Sequence, residues 1–231
     1  MLPAYYQHAR RDQPKIAITF DDGPNPHFTG KVMEVLARRG VRGTFFMVGS
    51  QVEAEHALVA EVHAAGHVIG NHTWSHPKSW EQGDTQFWQQ DIERAEQSIQ
   101  AVTQQPTAFF RIPYSSFAPG VNQAMHGWVE AAAGRRILNG DVMSDDWAHL
   151  LEKPLSPQRI IDNVFNNPVL GSGSVLVFHD GSELAPQRPW RPEPMLRALP
   201  LIVDALLERG YQLVGADELD FDQNGAVPLL L

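Results

Sequence analysis

The chain has no cysteine among its 231 residues. That excludes a disulfide framework, a thiolate metal site and a cysteine nucleophile, so any metal must be held by His, Asp or Glu. No apolar run approaches the roughly 18–20 residues of a membrane span. Residues 1–14 lack the unbroken apolar core of a secretion signal. As written, the chain is expected to be soluble and cytoplasmic, and extracytoplasmic only if a leader has been trimmed away. A surplus of basic charge is also missing. The sequence carries 18 Lys plus Arg against 27 Asp plus Glu, a formal charge of -9 with His neutral. Its longest basic runs are the pairs Arg10-Arg11, Arg38-Arg39 and Arg135-Arg136. A surface this acidic repels a phosphate backbone, which argues against nucleic acid as a partner. Linkers rich in Pro, Gly and Ser, internal repeats and low-complexity tracts are absent as well. What is present, 43% hydrophobic and 19% charged residues, is the composition of a globular domain with a sizeable core.

Short apolar runs alternate with amphipathic ones. Ile16–Phe20 is β-branched and apolar and is stopped by Asp21-Asp22-Gly23-Pro24, which reads as a buried strand entering a turn. From Phe28 to Arg39, Val32, Val35 and Leu36 follow helical spacing, with Gly40 as the residue after the helix. Further strands are expected at Thr44–Val48, His67–Gly70, Ala108–Ile112, Arg136–Leu138, Ser174–Phe178 and Tyr211–Val214. Further helices are expected at Val52–Ala65, Thr85–Val102, Val121–Ala133, Ser156–Val164 and Met195–Arg209. Ser156 serves as a helix N-cap with Pro157 at the first helical position. About seven strand–helix alternations predict an α/β fold built on a parallel sheet, open or closed into a barrel.

In such folds, loops from several strands converge only at the strands' C-terminal ends. Asp21 and Asp22 follow the first strand, and His72 and His76 follow the third. Arg111 ends the fourth, Asp141–Trp147 follows the fifth, and His179-Asp180 ends the sixth. An Asp-Asp-Gly-Pro segment or a His-x-x-x-His pair taken alone is more often a plain turn or two solvated side chains. The coincidence of all of them on one end of the fold carries the functional case. His72 and His76, spaced i and i+4, stand close enough to ligate one metal where the segment is helical or tightly turned.

Thr19-Phe20-Asp21-Asp22-Gly23-Pro24, His72-Thr73-Trp74-Ser75-His76, Arg111-Ile112-Pro113-Tyr114, Asp146-Trp147 and Phe178-His179 resemble, in order and spacing, the motifs of the polysaccharide deacetylases. These are the NodB-homology, or carbohydrate esterase 4, enzymes. The resemblance covers about residues 14–220. It implies a distorted (β/α)7 barrel as a single domain, flanked by an N-terminal extension at 1–13 and a tail at 221–231. It further implies Asp22, His72 and His76 as metal ligands, Asp21 as general base and Arg111 as the residue orienting it. Tyr114 would offer its backbone N–H to the oxyanion. His179 would be the catalytic acid with Asp146 as its partner, and Trp147 and Val177 would wall the acetyl methyl. The metal expected is zinc, with cobalt, nickel or manganese also fitting the donors. Trp74, Trp147 and Trp190 lie in or beside these loops and are candidate platforms for sugar rings, with core packing as the other reading.

The sequence departs from the family pattern in places. Met143 stands where the fourth motif usually begins with Asp, Val177 replaces a usual Leu, and Ser115 follows Tyr114 where Gly is common. The segment Gly181–Pro194, with Arg188, Trp190 and Arg191, is longer than usual. The activity implied is metal-dependent removal of N-acetyl groups from N-acetylglucosamine-containing glycans, of chitooligosaccharide or peptidoglycan type, with release of acetate. O-acetyl xylan esterase, deformylase or cyclic-amide hydrolase activity at the same site stands as an alternative, and a non-catalytic glycan-binding module stands further off. The oligomeric state is left open by the sequence.

Overall fold

The computed structural model describes residues 5–78, 85–114, 134–147, 155–181, 193–222 and 226–227. Strands β1 (Tyr5–Tyr6), β2 (Lys15–Gly23), β3 (Thr44–Met47), β4 (Val68–Asn71) and β5 (Phe109–Phe110) share one sheet with β6 (Arg136–Leu138), β7 (Val142–Met143), β8 (Val175–His179), β9 (Gln212–Val214) and β10 (Ala226–Val227). Seven of them run in the order β6-β5-β4-β3-β2-β8-β7, and every pairing along that path is parallel. The two ends of the path, β6 and β7, are joined by residues 139–141 alone. A flat sheet of seven strands would hold its edges about 29 Å apart, at roughly 4.8 Å per strand. So short a link reaches about 15 Å at most. The sheet must therefore be rolled, and it forms the distorted (β/α)7 barrel that the family resemblance implies.

Helices α1 (Thr29–Ala37), α2 (Gly49–Ala54), α3 (His56–Ala64), α4 (Thr85–Thr103), α5 (Pro157–Phe165) and α6 (Glu193–Glu208) cover the outside. The strands alternate between two cores. Ile16, Ile18 and Phe20 of β2 point outward and pack with Val32 and Leu36 of α1, Ile160 of α5, and Leu199, Ile202 and Val203 of α6. Ala17 points inward with Phe46, Phe109, Leu138 and Val175, filling the barrel. Both faces of the strands are buried, so β2 reads as an unbroken apolar run. The expected helix ends hold at α1, where Gly40 takes φ 64, and at α5. There the Ser156 side chain accepts a hydrogen bond from the Arg159 N–H at 3.2 Å, with Pro157 in the first turn.

Three expectations are corrected. The single helix at Val52–Ala65 is two, α2 and α3, broken at Glu55 (φ -126, ψ 42). No Gly or Pro marks the break. The strand at Tyr211–Val214 does not extend the barrel path. It pairs instead with Lys15–Ala17 at the start of β2, while β8 takes over the same edge from Ala17 onward. Val142–Met143, expected within a loop, is a short strand against Leu176–Val177 of β8. Residues 5–13, within the expected N-terminal extension, are tied to the barrel. Tyr5 and Tyr6 pair with β6, the Ala9 N–H donates to Gly173 O at 2.8 Å, and Arg11 meets Asp141 at 2.7 Å. The expected helix Val121–Ala133 lies outside the described residues.

Gly140 sits in the link that closes the roll, at φ 149. A Cβ there would lie 2.4 Å from Val177 Cγ2 and 3.0 Å from Val175 O. Gly140→Ala is expected to lower the unfolding free energy by about 1–3 kcal/mol, read as a lower denaturant midpoint at an unchanged m-value.

Candidate active site

The C-terminal ends of β2, β4, β5, β7 and β8 deliver the polar residues singled out in the sequence to one end of the barrel. On β2, alternation puts Ala17, Thr19 and Asp21 inside, and Asp22 would then face out toward the helices. It does not, because the register of β2 against β3 shifts between Asp21 and Gly23. Asp22 is the extra residue of a β-bulge, with a left-handed backbone of φ 70. A bulge re-aims the side chain of the residue it inserts. The sequence reading placed a turn here, whereas the strand continues through it to Gly23.

Asp22 thereby meets the two histidines. Its Oδ1 lies 3.3 Å from His72 Nε2 and 3.0 Å from His76 Nε2. One donor atom from each of the three residues falls within 4.8 Å of the others, and all three are buried. His72 Nδ1 is 2.9 Å from Arg111 O. A carbonyl oxygen only accepts, so Nδ1 carries the proton and Nε2 presents its lone pair to the cluster. Burial opposes charge on Asp22, but His76, His72 and His179 outweigh it and hold the carboxyl well below the usual range. One anionic oxygen donor and two imidazoles, converging at a buried point, fit a divalent cation.

The His72–His76 segment is tightly turned, with Thr73 at φ 69 and His76 at φ 51. Its conformation is fixed from α4 and β4. One oxygen of Asp91 accepts from the N–H of Trp74 at 2.9 Å and of Ser75 at 3.1 Å. Asn71 Oδ1 accepts from the Thr73 N–H at 2.9 Å, while its amide donates to Ile92 O and to Glu96. Sequence reasoning missed Asp91, Asn71 and Glu96, since nothing in α4's amphipathic pattern distinguishes a carboxylate that caps a distant loop from one facing water.

Two further pairs flank the cluster. Arg111 Nη1 donates to Asp21 Oδ1 at 2.6 Å and to Thr19 Oγ1 at 2.7 Å, and its Nε donates to Leu138 O at 2.8 Å. Its guanidinium lies over the Phe46 ring, 4.0 Å from the centroid. Phe46 occupies space that a Cβ on Gly70 would fill, at 2.6 Å from the ring. On the other side, His179 Nδ1 is 2.7 Å from Asp146 Oδ1, and the His179 N–H donates to the other Asp146 oxygen at 2.8 Å. Burial pulls the His179 imidazole down, but the Asp146 charge and hydrogen bond, with the charges of Asp22 and Asp21, lift it to about 10.

Tyr114, at φ 56, packs its ring 4.8 Å from that of His76. Val177 lies in β8 two residues before His179, on the same face and buried, and Trp147 directly follows Asp146 in partial exposure. Trp74 is not an open platform. Arg94 stacks on its ring at 3.3 Å from the centroid, and its Cδ1 would lie 2.7 Å from a Cβ on Gly49, so the indole packs between α2 and α4. Trp190 and Ser115 lie outside the described residues, as do Arg188 and Arg191. Despite Met143, the fourth-motif loop is held by other means. The Asp146 N–H donates to Ser144 Oγ at 3.3 Å, and Asn163 of α5 donates to Ser144 O at 2.9 Å. Of six non-glycine residues at positive φ among those described, five (Asp22, Thr73, His76, Tyr114 and Asp145) belong to these loops. Strained backbone of this kind persists where the surroundings over-determine it, and it gathers at functional sites. No helix among the described residues is long and apolar enough to cross a membrane.

Known proteins are similar to this chain in sequence and fold. A chitooligosaccharide deacetylase of Rhizobium leguminosarum bv. trifolii is 30% identical over 217 residues, covering 90% of this chain and 93% of its own. A peptidoglycan-N-acetylglucosamine deacetylase of Bacillus cereus is 30% identical over 205 residues, covering 88% and 87%. Among solved structures, the peptidoglycan N-acetylglucosamine deacetylase Bc1960 superposes with a TM-score of 0.80 at 27% identity, covering 94% of this chain and 93% of that one. The family model for polysaccharide deacetylase matches residues 8–128, and the chain belongs to that family.

Proposed function

We propose that the protein is a metal-dependent N-deacetylase of N-acetylglucosamine-containing glycans, of the chitooligosaccharide or peptidoglycan type, releasing acetate. The observation that carries this reading is the buried convergence of Asp22, His72 and His76, flanked by Asp21–Arg111 on one side and His179–Asp146 on the other. The names of the two 30% relatives support the substrate class. A divalent cation held by Asp22, His72 and His76, zinc first among those that suit the donors, would supply Lewis-acid chemistry that acidifies water and polarises the amide carbonyl.

The chain's own residues then divide the work. Asp21 accepts a proton from the attacking water as the new C–O bond forms at the acetyl carbon. Arg111, anchored by Thr19 and Leu138 O, fixes the Asp21 carboxylate so that one oxygen is tied and the other is left for water. The Tyr114 backbone N–H stabilises the oxyanion, a role worth typically 10²–10³ in rate for a single donor. His179, charged at neutral pH and oriented through Nδ1 by Asp146, donates its Nε2 proton to the departing nitrogen as the C–N bond breaks. Val177 and Trp147 would bound the acetyl methyl. Trp74, stacked under Arg94 and packed against Gly49, is left out of this reading of the sugar site.

Acetate release should be measured on chitooligosaccharides, peptidoglycan fragments and acetylxylan. Activity on the first two is expected, and turnover of acetylxylan alone would overturn the N-acetyl reading. Treatment with a chelator should abolish turnover and added zinc or cobalt should restore it, while His72→Ala should no longer retain the ion by elemental analysis. Asp21→Asn and His179→Ala should keep the ion and lose about 10²–10⁴ in kcat. An Asp21→Asn enzyme with full activity would sink the assignment of the base. The His179 proton is retained below its raised pKa and lost as pH rises through it. Because the Asp146 charge raises that pKa, Asp146→Asn should move the alkaline limb of the kcat/KM profile down by about 1 pH unit or more. An unmoved limb would mean that Asp146 does not tune the acid.

A further inference from the structure

Asp180 has no part in the chemistry above, yet it is fully buried at the end of β8, directly after His179. Its carboxyl accepts a hydrogen bond from the hydroxyl of Thr29, itself fully buried at the start of α1. The same hydroxyl oxygen accepts from the Asn25 N–H at 2.8 Å. The carboxyl thus grips the segment that leads out of the bulge. It also lies flat on Gly23, where a Cβ would come within 2.6 Å of both of its oxygens. The glycine after Asp22 therefore makes room for Asp180. One residue on, a Cβ at Gly181 would lie 1.9 Å from Asp22 O, so the end of β8 is wedged against the bulge itself. The N–H groups of Asp180 and Gly181 both donate to Asp21 O, at 3.1 and 3.3 Å. Burial, reinforced by the charges of Asp22 and Asp21 against the Thr29 hydrogen bond, lifts the Asp180 carboxyl to about 7. A purely apolar contact would fill this space without burying an acid beside two others, so a packing role alone accounts poorly for the residue.

We propose that Asp180 and Thr29 form a positioning clamp that holds Asp22 in its left-handed bulge conformation, aiming the carboxylate at His72 and His76. The inference rests on the reading of that triad as a cation site. Left to itself, a non-glycine residue relaxes from positive φ to extended backbone. That relaxation would turn the Asp22 side chain back toward the helices, and the clamp opposes it from the β8 side. Neither residue touches substrate or reacting atoms in this scheme.

The test uses the whole chain stripped of metal and titrated with Co²⁺, followed by calorimetry and by the visible absorption of the bound ion. Thr29→Val keeps the side-chain shape and removes the hydroxyl, Asp180→Ala removes its partner, and Thr29→Ser restores the hydroxyl. Thr29→Val and Asp180→Ala are expected to bind Co²⁺ about 10–100-fold more weakly, as loss of a group supporting a metal ligand typically does. Their absorption band should change, and Thr29→Ser should regain both the affinity and the band. At saturating Co²⁺, kcat should fall in the two weakened variants while KM stays near the wild-type value. Should Thr29→Val fail to fold, Asp180→Ala carries the comparison. Variants that melt at lower temperature but bind Co²⁺ with wild-type affinity and an unchanged band would overturn the clamp. A wild-type chain that takes up no Co²⁺ would instead refute the reading of the triad.

Discussion

Neighbouring residues on a strand point to opposite faces, and the site depends on a local breach of that rule. Asp21 obeys it and faces the barrel interior, where Arg111 meets it. Asp22 breaks it, because an inserted residue and a left-handed backbone swing it back to the same end of the barrel. Two adjacent carboxylates thus reach one small volume from slightly different directions, one toward the paired imidazoles and one toward the guanidinium. Without the bulge, Asp22 would sit among the apolar side chains of α1 and α6. Asp21 would then stand alone, without the Asp22–His72–His76 cluster beside it.

Crowding acids in this way sets up an electrostatic problem that the fold answers with directed hydrogen bonds. Asp21, Asp22, Asp146 and Asp180 are all buried at one end of the barrel. Buried carboxylates of like charge repel strongly unless each has its own partner. Arg111 serves Asp21, two imidazoles serve Asp22, His179 serves Asp146, and the Thr29 hydroxyl serves Asp180. The net negative field lifts His179 toward its charged form, the form a proton donor needs. The arrangement therefore couples His179, Asp21 and the Asp22–His72–His76 cluster through charge as well as through position.

The loops that carry these groups are supported from helices outside the cluster. Asp91 of α4 holds the turn between the two histidines, and Asn163 of α5 reaches the loop before Asp146. The second of these shows how a motif can lose a residue and keep its shape. Met143 replaces a usual Asp, but β7 pairing with β8, Ser144 and Asn163 keep Asp146 bonded to both the ring and the N–H of His179.

Much of this was legible in the chain itself. The alternation of apolar strands and amphipathic helices gave a parallel α/β sheet, because burial on both faces of a parallel strand writes a continuous apolar run, and its closure into a barrel came from the family resemblance. The polar residues at strand ends gave the site, because their sequence positions mark one end of the sheet. What could not be read depends on contacts between distant segments. The bulge at Asp22 is a matter of register against β3, and a single strand's sequence does not state its neighbour's register. The transfer of β2's edge from β9 to β8, the break at Glu55 and the seam at Gly140 are likewise settled by packing. Trp74 appeared as an aromatic beside the site and is in fact occupied by Arg94, since exposure of a face is fixed only by what lands on it. Local pattern, with the family resemblance, picked out the candidate site residues. The rolled sheet alone decided where their side chains point, because direction depends on neighbours that the linear order places tens to more than a hundred residues away.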